Sequence, residues 1–75
     1  MATFNLGAAR DLSKSDTPND RFNWVLVVTT TGSLVFDQEG GNTTTLASVP
    51  VNVWIPVGNA TNIQTSSTAV GLMVV

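Results

Sequence analysis

The chain has 75 residues, 43% of them hydrophobic and 11% charged, with three basic and five acidic side chains and a formal net charge of −2. With no Cys and no His, disulfides and a Cys/His zinc site are excluded. A chain this short makes one small domain and removes only roughly 60% of its unfolded surface from water, so stability from partner chains is the expectation.

The charge is unevenly placed. All eight charged side chains lie at or before Glu39, and Gly40 to Val75 carries none. Arg10, Lys14 and Arg21 are too few to neutralise a phosphate backbone, and each has an Asp within two residues, so nucleic-acid binding is not expected. The longest apolar runs, Trp24 to Val28 and Leu72 to Val75, fall far short of the about 20 residues of a membrane span. The start, Met1-Ala-Thr-Phe-Asn-Leu6, lacks the basic and long apolar regions of a signal peptide. A soluble protein made in a cytoplasm and independent of membranes is expected. Eleven Val and eleven Thr point to strands.

Residues 1–21 hold six of the charges and a turn cluster, Ser15-Asp-Thr-Pro-Asn-Asp20. The stretch from Gly7 to Lys14 has too few apolar residues for more than a single helical turn. The segment therefore reads either as an N-terminal arm, able to reach on the order of 60 Å when extended with Phe4 and Leu6 as its anchors, or equally as a frayed terminus.

From Phe22 the pattern is short strands separated by turn residues. Phe22, Trp24, Leu26 and Val28 alternate with Val25 and Val27, so the strand from Phe22 to Thr30 is expected to be covered on both faces. Thr31-Gly32 reads as a turn and Ser33 to Gln38 as the return strand. Glu39-Gly-Gly-Asn42 is a second turn and Thr43 to Val49 a third strand. Val51 to Ile55 alternates as a fourth strand, closed by Pro56 because proline cannot donate to a central ladder. Gly58-Asn59 then turns the chain, Thr61 to Thr65 is a fifth strand, and Ala69 to Val75 is the last. Six short strands at such spacing predict an all-β fold, a small antiparallel barrel or sandwich over residues 22–75. The uncharged last strand would aggregate as an exposed edge, so it belongs inside the sheet or against another subunit.

Catalytic candidates are poor, because a nucleophile could find no base except a carboxylate. Asp37 and Glu39 lie two apart at a strand end, and Asp16, Asn19 and Asp20 resemble fragments of a calcium loop without a full ligand set. No catalytic, cofactor or metal residue is assigned. The triplets at Thr29 to Thr31 and Thr43 to Thr45 have no constant repeat and read as β-propensity. Trp24 is expected in the core. Trp54 falls on the opposite face from Val51, Val53 and Ile55, which suits an interface anchor or a sugar-stacking platform. The assembly candidates are Phe4, Leu6, Trp54, Leu72 and Val74.

The order of these elements resembles the head spike base proteins, small β-structured virion proteins of tailed bacteriophages and phage-like gene transfer agents. The residues that carry the likeness are Trp24-Val-Leu-Val-Val28, Ser33-Leu-Val-Phe36, Gly40-Gly41, Thr43-Thr-Thr-Leu-Ala-Ser-Val-Pro50, Val53-Trp-Ile-Pro-Val57 and Ile63-Gln-Thr-Ser-Ser-Thr-Ala-Val-Gly-Leu72. That family usually carries arginines before its closing segment, where this chain has Trp54, Asn59 and Asn62, so contacts made through those arginines are not implied. The resemblance implies a non-enzymatic capsid component on the virion exterior, a spike base or a decoration (cement) protein. Its implied partners are further copies of itself and the major capsid protein or another virion protein. The rival class is a binding module that recognises carbohydrate or a host surface through Trp54 and the Thr/Asn-rich turns.

Overall fold

A computed structural model describes residues 9–75. Those residues form one antiparallel sheet of six strands with no helix, in the spatial order β1-β6-β2-β5-β3-β4. The strands are β1 (Arg10–Asp11), β2 (Phe22–Thr30), β3 (Gly32–Gln38), β4 (Thr43–Val49), β5 (Trp54–Ile63) and β6 (Val70–Val74). The all-β expectation holds. The sheet is open, with β1 and β4 at its two edges, rather than a closed barrel.

The core is a single apolar cluster. Phe22, Val25 and Val27 of β2 meet Leu34 and Phe36 of β3, Val57, Ala60 and Ile63 of β5, and Leu72 and Val74 of β6. Burying such side chains stabilises by roughly 1.5–3 kcal/mol each, which fits an apolar face on every central strand. The last strand is internal, between β1 and β2, and this satisfies its need for cover.

Three details depart from the expected pattern. First, β2 and β3 are joined through Thr31 but do not pair; β5 lies between them. The start of β3 instead bonds to the segment before β6, with Val35 N donating to Ser67 Oγ and both Thr68 N and Ala69 N to Ser33 O. Gly32 permits this crossing, because a Cβ there would stand 2.6 Å from the Thr68 carbonyl carbon.

Second, the expected fourth and fifth strands are one strand. β5 runs through Pro56 because β3 joins it only from Ala60 onward, so at Pro56 it pairs with β2 alone. It also runs through Gly58 and Asn59, whose φ values of 53° and 56° make a bulge and not a reversal. Side chains satisfy that bulge: Asn23 Oδ1 accepts from Asn59 N, and Gln38 Nε2 donates to the carbonyls of Val57 and Gly58. Residues 51–53 form a turn, with Asn52 at φ 62° and only an isolated bridge from Val51 to Val27.

Third, the part of the N-terminal segment from Ala9 onward lies on its own domain. Arg10 and Asp11 pair with Val74 and Met73 as β1. Ser15 N donates to Ile63 O, and Asn19 N and Asp20 N to Thr61 O, so this stretch extends the track of β2 along β5. A helical turn does not form there, since the backbone groups are committed to the sheet.

Candidate functional site

The sequence expectation for β2 is reversed by one irregularity. Asn23 N and Trp24 N both donate to Val75 O, a bulge in β2, which leaves Phe22 buried with Val25 and Val27. Trp24, Leu26 and Val28 therefore face outward. Trp24 is 37% exposed and Val28 43% exposed, so Trp24 is not a core residue.

Cross-strand register assembles an apolar face around them, since residues directly opposite share one side of a sheet. Leu26 lies between Met73 of β6 and Trp54 of β5. One pair along, Trp24 lies between Val75, with which it exchanges two backbone hydrogen bonds, and Pro56. The two tryptophans thus occupy adjacent rows on the same face. Among the described residues the register brings one charged side chain to this face, Asp11 opposite Met73, at the margin beside β1. Trp54, identified from sequence, belongs to this site. Leu72 and Val74 do not: both are buried in the subunit's own core, because the alternation of β6 turns Gly71 and Met73 outward instead. Phe4 and Leu6 lie outside the described residues. Leu26, Val28 and Met73 were missed, and the pairing register is the signal that finds them.

The polar candidates are engaged in structural bonding. Asp37 accepts from Thr43 Oγ1 at 2.6 Å, Asn62 Nδ2 at 2.9 Å and Gln64 Nε2 at 2.8 Å. These bonds hold its carboxyl below the usual carboxylate range, Thr43 contributing most. Asn62 is wholly buried; its Nδ2 also donates to Ser15 O, and its Oδ1 accepts from Thr61 Oγ1. Glu39 pairs with Arg21 at 3.1 Å. Asp16 accepts from Thr65 N and Oγ1, while Asp20 makes a forked bond to Arg10 that lowers its own pKa. Asn19 donates to Ser13 O. The residues that resembled a calcium loop thus act as fasteners for the N-terminal segment. No group of three or more His, Cys, Asp or Glu that could hold a metal occurs among the described residues. No family model, curated protein or solved structure matches this chain.

Proposed function

We propose that the protein is a non-enzymatic virion component, a head spike base or decoration protein on the capsid exterior, that works by oligomeric assembly and attachment to the particle. The observation that carries this reading is the outer face of β6, β2 and β5: two tryptophans, Leu26, Val28 and Met73 together, with one charge at the rim. Trp24 and Val28 are exposed and the other three half-buried, and solvent-facing apolar clusters of this kind mark protein contacts. The placement on a capsid rests on the order of strands and turns in residues 22–75.

Co-sedimentation of the purified protein with particles lacking it tests the proposal. Val28→Lys should leave the fold intact, since Val28 is exposed, and should abolish attachment. Attachment of that variant at native occupancy refutes the role of this face. Removing residues 1–8 tests the anchoring role of Phe4 and Leu6 without touching the β1 and Ser15 contacts. A cut at residue 20 would strip those contacts as well.

The second reading is a carbohydrate-binding module, favoured by two tryptophans in neighbouring rows of one face. A glycan array distinguishes it: specific binding lost in Trp54→Ala supports this alternative.

A further inference from the structure

The two edges of the sheet differ sharply. β1 is two residues long, both charged, and its Arg10 is tied to Asp20 at 2.7 Å. Short, charged strands are the usual protection of a sheet edge against another chain. β4 at the other edge has seven residues, Thr-Thr-Thr-Leu-Ala-Ser-Val, without a charge or a proline, and pairs on one side only with β3 among the described residues.

The register shows which backbone groups that edge presents. Gln38 N donates to Asn42 O at the turn, and Phe36 opposite Thr44 and Leu34 opposite Leu46 follow at steps of two. In an antiparallel ladder these are the hydrogen-bonded pairs, and the pairs between them direct their N–H and C=O groups away from the partner strand. Thr43 and Thr45 therefore point their backbone groups outward from β4, whereas Ala47 lies where the register shifts opposite Ser33; all three residues are exposed.

We propose that β4 is a self-pairing edge: the β4 strands of two copies join antiparallel about a two-fold axis at Thr45, making one continuous sheet across a dimer. The opposite edge favours this symmetry. Head-to-tail growth would seat β4 on β1, which offers two residues and an engaged arginine, whereas β4 against β4 is neutral, equal in length and closed after two copies. Thr45 pairs with its own symmetry mate, giving about two main-chain hydrogen bonds at the axis, and Thr43 faces Ala47 of the second copy on either side of it. The dimer gives one form to the oligomeric assembly proposed above and rests on that reading only for its role, since it is expected of the isolated chain in solution.

The test is sedimentation equilibrium of the full chain with charge variants at the axis. Thr45→Lys and Thr45→Glu each place like charges opposite one another in the homodimer. Each variant alone should weaken dimerisation by up to about fivefold, and an equimolar mixture should restore it as a heterodimer. Thr45→Pro, which removes an outward N–H at an edge that tolerates proline, should weaken it similarly with the circular dichroism of the sheet preserved. Amide exchange at Thr45 and Thr43 should slow as concentration rises. A native chain that stays monomeric at millimolar concentration overturns the proposal. So do variants that dimerise like the native chain, or a mixture no tighter than either variant alone. Particle attachment is measured separately with Val28→Lys, so that failure of the edge and failure of the outer face are distinguishable.

Discussion

Asn62 should be the most sensitive polar position in the domain. It has no exposed surface and joins three pieces of chain: Nδ2 reaches Ser15 O at 2.8 Å and Asp37 Oδ2 at 2.9 Å, and Oδ1 receives Thr61 Oγ1 at 2.8 Å. Asn62→Ala removes two neutral hydrogen bonds, each worth about 0.5–1.5 kcal/mol net, and one to a carboxylate, worth about 1.5–3 kcal/mol. The carboxylate bond belongs at the low end, since Asp37 keeps Thr43 and Gln64. The expected loss is about 3 kcal/mol, against a total of about 4–11 kcal/mol for a domain of this length. Each kcal/mol shifts the melting temperature by about 4–8 °C at this size, so a fall of roughly 18 °C is expected. Urea denaturation followed by tryptophan fluorescence measures it. Amide exchange at Ser15 and Asn19 should quicken as well, because Asn62 holds their segment against β5. A loss below about 1 kcal/mol, with exchange at Ser15 unchanged, would refute the reasoning.

Other outcomes follow from the same structure. Gly32→Ala puts a methyl group against the backbone of Thr68 and Ala69 and should cost about 3 kcal/mol, read by chemical denaturation. Asp37 and Asp20 have lowered pKa values, so their stabilisation is complete above the ordinary carboxylate value near about 4. It is lost as pH falls through and below that value toward their folded pKa values. A stability titration from neutral pH to strong acid should show this decline, and Asp37→Asn should flatten it. Asp20→Ala breaks an exposed forked ion pair and should cost no more than about 1 kcal/mol, measurable in a double-mutant cycle with Arg10→Ala.

Four strands were legible almost to the residue, because their turns are marked locally: Gly40-Gly41 ends β3, and Pro50 follows β4. β5 was illegible as one piece. Pro56 and Gly58-Asn59 ordinarily stop a strand, and only the staggered arrival of β3, with Asn23 and Gln38 satisfying the bulge, allows it to continue. The face of Trp24 could not be read from alternation, because a bulge changes parity without leaving a mark in composition. Asn62, in a Thr/Asn-rich stretch, looks like a surface residue until the Ser15 segment is laid over it. The outer apolar face was half visible: Trp54 stood out, whereas its neighbours are supplied by strands distant in sequence.

The spatial order β1-β6-β2-β5-β3-β4 also sets a timetable. Of its neighbouring pairs, only β3 and β4 are consecutive in the chain, joined by the turn at Gly40-Gly41. β1 and β2 leave the ribosome first, yet each waits for β5 or β6 before it has a ladder to join. Loop closure must therefore precede most of the stabilisation, and folding should take milliseconds to seconds, as for other chains dominated by distant pairings. Until then the β3–β4 hairpin stands alone with both edges open, and the nascent chain is at its most vulnerable to its neighbours.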